Sequence, residues 1–188
     1  MSLRVCQMSI FKRPNVVAYD ELGSVVGEMN WPVVGQARNA RLKWHQPGSR
    51  AGEVEVVSAG SRYRIGLEYL SRGWQNDTRF ILDGPYDDDG QTLGTTSATL
   101  AVADWHVAPG GPSKQSLVVH QPFAGRFERR SGLLRVRWEV LHGDLPIGTV
   151  SERSWFMLRR EIIVDLPSRI DVPTQMFFFF VMFTMSYS

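Results

Sequence analysis

Tyr63, Ile65, Leu67 and Tyr69 occupy one phase of a period-two pattern, with Arg62, Arg64 and Glu68 in the other. A period of two predicts a strand with one dry and one wet face. The pattern recurs where Val136, Trp138 and Val140 alternate with Arg135, Arg137 and Glu139. Elsewhere Gly and Pro punctuate the chain every few residues, and β-branched and aromatic residues fill the intervals, which reads as many short strands. Further strands are expected at 4–11, 15–19, 24–29, 38–44, 53–58, 78–83, 91–96, 98–104, 115–120, 125–130, 146–151, 154–160 and 161–166. No amphipathic helix of ordinary length precedes residue 170.

Three stretches resemble one another: VVAYDELGSVVGEM (16–29), RFILDGPYDDDGQTLGT (79–95) and RWEVLHGDLPIGTV (137–150). Each reads as a strand, a small polar turn, an apolar residue followed by Gly, and a second strand. The pairs are Val26–Gly27, Leu93–Gly94 and Ile147–Gly148. Glycine there suits a bulge or a tight bend in a curved sheet better than a phosphate cradle.

The pattern breaks at MFFFFVMF, residues 176–183. As a helix, Phe177 to Phe180 would point in four directions and leave no polar stripe, so the helix would need burial on every side. A closed sheet wrapped around it meets that requirement. A helix about 10 Å across demands a barrel wider than one filled by its own side chains. About twelve strands would suffice, with Asp171 or Thr174 capping the helix and Pro173 near its first turn. The competing reading is a very apolar strand, central in a β-sandwich, because Phe and Val also suit strands. A third is an exposed tail that dips into a membrane or forms an oligomer. Eight apolar residues fall far short of the ~20 that a spanning helix needs, so no transmembrane span is expected.

Composition fits one domain over residues 1–188: hydrophobic residues make up 43% of the 188, enough for a sizeable core. Cys6 stands alone, which excludes an internal disulfide framework and a Cys-rich metal site. His45, His106, His120 and His142 show no helical zinc spacing. The opening residues show no secretory leader, so a cytoplasmic protein, peripheral to a membrane at most, is expected. Only Lys12, Lys43 and Lys114 among the 21 basic residues are not Arg. From Arg126 to Arg160, eight Arg face Glu128, Glu139, Asp144 and Glu152. That surplus either decorates a solvated exterior or attracts a phosphate-bearing partner.

The C-terminal half carries a family resemblance. GRFERRSGLLRVRWEVLHGDLPIGTVSERSWFMLRREIIVDLP, followed by IDVPTQMFFFFVMFTM, resembles the tubby C-terminal-like superfamily, and within it the plant LURP-one-related and phospholipid-scramblase-like branch. The carrying features are Trp138-x-Val140, Gly143, Ile147–Gly148–Thr149, a final strand and a hydrophobic closing helix near 174–185. The resemblance is best over 125–185. It implies a twelve-stranded antiparallel barrel around that helix, and peripheral binding of membrane lipids or of a protein. The scramblase-like Pro-rich leader with clustered cysteines is not seen and the terminal apolar run is shorter than a span, so lipid scrambling is not expected.

Candidate chemistry is sparse. DGPYDDDG (83–90) gathers carboxylates, and Asp87, Asp88 and Asp89 are weak candidates for a hard cation. The helix–loop–helix calcium pattern fails there, because Pro85 and Thr96 fall where ligands are required. Asp104, Trp105 and His106 include an acid–base pair, but neighbouring strand positions project to opposite faces and no nucleophile is specified. Asp77 and Arg79 suggest an ion pair beside a turn. There is no nucleophile elbow, dinucleotide fingerprint or P-loop, and no cofactor is expected. Arg and aromatic residues alternating on opposite faces make a poor nucleic-acid stacking platform.

These features favour a non-enzymatic binding or scaffold domain that recognises anionic phospholipid headgroups. Arg135, Arg137, Arg129 and Arg153 are its expected ligand-binding residues. The alternatives are an enzyme with a sequence-dispersed acid/base site in an all-β cleft, and a protein-interaction domain without a small ligand.

Overall fold

In the computed structural model, described over residues 2–8, 16–30, 50–70, 77–87, 98–107, 115–130, 137–153 and 161–186, antiparallel strands run in chain order around a closed barrel. They are β1 Ser2–Gln7, β2 Val16–Tyr19, β3 Val25–Asn30, β4 Arg50–Ser58, β5 Ser61–Tyr69 and β6 Thr78–Tyr86. The circuit continues with β7 Ala98–Val107, β8 Gln115–Gln121, β9 Gly125–Arg129, β10 Arg137–His142, β11 Leu145–Glu152 and β12 Glu161–Asp165. Pairing of β1 with β12 closes the sheet, with Leu3 opposite Val164 and Val5 opposite Ile162. The expected strands 38–44, 91–96 and 154–160 lie outside the described residues.

One helix, α1 Val172–Ser186, completes the described structure. Fifteen residues at 1.5 Å each give it a length of about 22 Å. Its start is fixed locally: Asp171 Oδ1 accepts the Thr174 N–H at 2.9 Å, an N-cap bond to the third helical residue. Pro173 falls in the first turn, where its missing N–H costs no helical bond. Met176 to Met182 are all buried. Phe178 meets Phe123 and, on β9, Phe127, while Phe180 meets Phe80 on β6. Contacts with β1, β3, β4, β7 and β12 complete the ring. The helix is therefore the solid core of the barrel, and the strand and tail readings of 176–183 are set aside. Dispersion and burial of this stripe-free surface hold helix and sheet together.

Two of the apolar–Gly pairs do shape the sheet. Ala18 pairs with Gly27 and Tyr19 with Val25, leaving Val26 as the extra residue of a bulge. Val140 pairs with Gly148 and Leu141 with Pro146, leaving Ile147 in the same role. The glycines themselves answer to space. A Cβ on Gly27 would stand 2.5 Å from Met176 Sδ, and one on Gly148 would meet the Asp165 carbonyl oxygen and Leu166. The bulges thus bring bare backbone against the helix and against the segment that leads to it. Leu93–Gly94 lies outside the described residues.

Antiparallel order gives the barrel two distinct ends. At the proximal end, where α1 begins, stand the turns at 20–24, 59–60, 122–124 and 143–144 and the segment 166–171. At the distal end β9 stops at Arg129, β10 begins at Arg137 and β11 stops at Glu152.

Candidate functional site

The arginines of β9 to β12 sit on strands whose apolar phase is spent on the core. Phe127, Trp138 and Val140 are buried, which sends Arg126, Glu128, Arg137 and Glu139 to the outer wall. Glu128 and Glu139 lie directly opposite each other, a like-charge pair that needs a cation. Arg130 supplies it, with Nη2 3.0 Å from Glu128 and Nε 3.1 Å from Glu139. Arg126 donates to Glu128 at 2.9 Å, to Asp144 at 3.1 Å and to the Gly143 carbonyl at 3.0 Å. Those bonds, Glu128 first, raise the Arg126 pKa further. Arg153 donates to Glu161 at 2.8 Å. Much of the positive charge on this wall therefore serves to hold carboxylates.

Arg129 and Arg137 differ. Both are exposed, and neither has an ion pair among the described residues. Register separates their faces: Arg137 O accepts the Arg130 N–H, so Arg137 lies across from Arg130 on the outer wall. Arg129 stands opposite Trp138, on the inner phase, at the distal rim. Arg153, at the end of β11, turns instead toward β12 and β1 through Glu161. Arg129, Arg137 and Arg153 thus share the distal end of the barrel without sharing one face, and Arg135 lies outside the described residues.

The acidic loop shows less. Asp83 accepts a hydrogen bond from Thr99 Oγ1 at 2.8 Å. Asp88 and Asp89 lie outside the described residues. Among the described residues no group of three or more His, Cys, Asp or Glu is arranged to hold a metal ion, Asp87 included.

A further polar cluster crosses β6, β7 and β8, and it repartners the residues expected from sequence. Arg79 pairs in register with Asp104, giving Nε–Oδ1 2.7 Å and Nη2–Oδ2 2.8 Å. His120 is the extra residue in the β7–β8 bulge, and its Nε2 reaches Asp104 Oδ2 at 2.9 Å. The Asp104 side chain is only 7% exposed. Burial pushes its carboxyl up, and the hydrogen bonds and charges of Arg79 and His120 outweigh that, leaving it below its ordinary value. Asp77 faces His106 Nδ1 at 3.4 Å, where an Asp77–Arg79 pair was expected. Trp105 points the other way, into the core. With Asp104 bound by both a guanidinium fork and an imidazole, the cluster is a clamp between three strands and presents no nucleophile.

Comparison with protein-family models, with curated proteins and with solved structures finds no match to this chain. No helix among the described residues is long and apolar enough to cross a membrane.

Proposed function

We propose that the chain is a non-enzymatic binding domain that docks on the phosphates of anionic phospholipid headgroups through Arg129 and Arg137. The observation that carries this reading is the contrast among arginines. Arg126, Arg130 and Arg153 are held by carboxylates, whereas Arg129 and Arg137 are exposed at the distal end without an ion pair among the described residues. Guanidinium groups not engaged by a carboxylate keep their donors for phosphate oxygens.

Charge distribution along the barrel supports the same orientation. The proximal end exposes Glu21, Asp144, Asp165 and Asp171. Its basic residues Arg62 and Arg126 are paired with Glu55 and with Glu128 and Asp144, and Arg169 is exposed in the segment that leads to α1. An anionic surface would repel that end and attract the other. Because α1 packs the interior, Arg129 at the rim and Arg137 on the outer wall are where the described barrel offers its free guanidinium groups. The resemblance to tubby-like and scramblase-like domains points to the same class of partner.

The test is co-sedimentation with phosphatidylcholine vesicles, alone and with phosphatidylserine or phosphoinositide, at two salt concentrations. Binding should require the anionic lipid and weaken with salt. Replacing both Arg129 and Arg137 with Gln should weaken it about tenfold or more, each basic residue near such a surface contributing about 1 kcal/mol. Equal binding to neutral vesicles, or unchanged binding by a folded double variant, would overturn the proposal.

A further inference from the structure

On the outer wall, β1, the β2–β3 turn and Arg153 enclose an open cleft of about 340 Å³, lined by Ser2, Arg4, Asp20, Glu21, Leu22, Gly23 and Arg153. That volume lies at the small end of ligand pockets. Local chemistry fixes one wall. Asp20 Oδ1 accepts the N–H groups of Leu22 at 2.9 Å and Ser24 at 2.8 Å, and Gly23 takes φ +83° to turn the chain back. Glu21 Oε1 accepts the Ser2 N–H at 2.7 Å and fastens the turn to β1. The acidic side chains of the cleft are thereby held at its proximal end.

The other end is basic. Arg4 lies two residues beyond Ser2 on the same face of β1, about 7 Å along the strand. Its guanidinium sits over the Tyr19 ring, 5.0 Å from the centroid. Glu161 stands between the two arginines, 2.8 Å from Arg153 and 3.8 Å from Arg4. Two guanidinium groups share that single carboxylate, so positive charge is left over at this end. Both arginine side chains remain substantially exposed, at 42% and 60%.

We infer that this cleft binds a small zwitterion: a phosphate or carboxylate against Arg4 and Arg153, and an ammonium group against Asp20 and Glu21. A phosphate and an amine joined by a short link carry the two opposite charges that the two ends of the cleft call for. Leu22 and Gly23 also line the cleft. A soluble aminoalkyl phosphate and the headgroup of an amine-bearing phospholipid share this chemistry. The site is separate from Arg129 and Arg137, and its success or failure is independent of theirs.

The test is titration of the 188-residue chain, followed by the amide resonances of Ser2, Leu22 and Gly23. O-phosphoethanolamine is compared with inorganic phosphate and with ethanolamine. The zwitterion should bind at least about tenfold more tightly than either half, since each half forgoes one set of charge-assisted bonds. Arg4→Gln and Glu21→Gln should each weaken it about tenfold, while Arg169→Gln, which removes the same charge elsewhere, should leave it unchanged. If Arg4→Gln does not fold, Glu21→Gln decides. Phosphate alone matching the zwitterion, or native-like binding by a folded Glu21→Gln, would overturn the inference. Vesicles containing phosphatidylethanolamine identify the source. Sedimentation that O-phosphoethanolamine competes away assigns a lipid headgroup, and binding of the free zwitterion without sedimentation assigns a soluble ligand. Binding of neither overturns the inference.

Discussion

Arg79 and Asp104 sit directly across from each other on β6 and β7, joined by two parallel N–H to carboxylate bonds at 2.7 and 2.8 Å. With His120 on the same carboxylate, this fork ties three strands together where β7 and β8 lose register. Asp104→Asn keeps the shape and removes the charge. It should lower stability by about 2 kcal/mol at pH 7, the scale of hydrogen bonds to a charged group.

The same pair sets a pH dependence. The folded Asp104 carboxyl titrates below its reference value of 3.8. Its stabilising contribution is therefore present in full above that value and disappears as the pH falls through the folded pKa. Urea unfolding of the parent and of Asp104→Asn should differ most at pH 5–8. The two curves should converge on acidification below about pH 4. A difference that persists undiminished in acid would show that Asp104 is not ionised in the folded protein.

Gly27 and Gly148 should respond unequally to Ala. At Gly148 the new Cβ meets the Asp165 carbonyl oxygen and Leu166, including its Cα, which cannot easily give way. At Gly27 its nearest neighbour is Met176 Sδ, the middle of a flexible side chain. Gly148→Ala should cost about 2–3 kcal/mol and Gly27→Ala about 1 kcal/mol, read from denaturant midpoints.

Phe178 and Leu22 mark the two extremes of burial. Phe178 is fully buried against Phe123, Phe127 and Phe177, so Phe178→Ala should cost about 3–5 kcal/mol. Leu22 is 91% exposed, and Leu22→Ala should fall within about 0.5 kcal/mol of the parent. Thermal melts of the two variants check both values at once.

Much of this architecture was legible from local patterns. Period-two alternation placed β5 and β10 with the correct inner phase, because Ile65, Trp138 and Val140 must be buried. The run Phe177–Phe180 has no polar side, and that demand led to a closed sheet around it. The paired bulges followed from Val26–Gly27 and Ile147–Gly148. Register was not legible. Arg79 meets Asp104 instead of Asp77 because a partner 25 residues away stands opposite it, and sequence spacing carries no sign of that. His120 reaches the same carboxylate only because it is the extra residue of a bulge. Alternation does send Arg79 and Asp104 to the outer phase of successive strands, a signal that would have suggested the pair once β6 and β7 were set side by side. Whether Arg129 joins Arg137 depended on hairpin register, and strand pairing places the two on opposite phases.

Hydrogen exchange of the α1 amides tests most directly whether the barrel is closed around its helix, the arrangement that leaves no room for a ligand between helix and sheet. Amides of residues 176–182 are expected to exchange only through global unfolding, with protection equal to that of the slowest strand amides and a free energy matching the denaturant value. Exchange of those amides at loop-like rates while Phe80, Trp138 and Val164 stay protected would contradict the account, because it would place the helix outside an intact barrel.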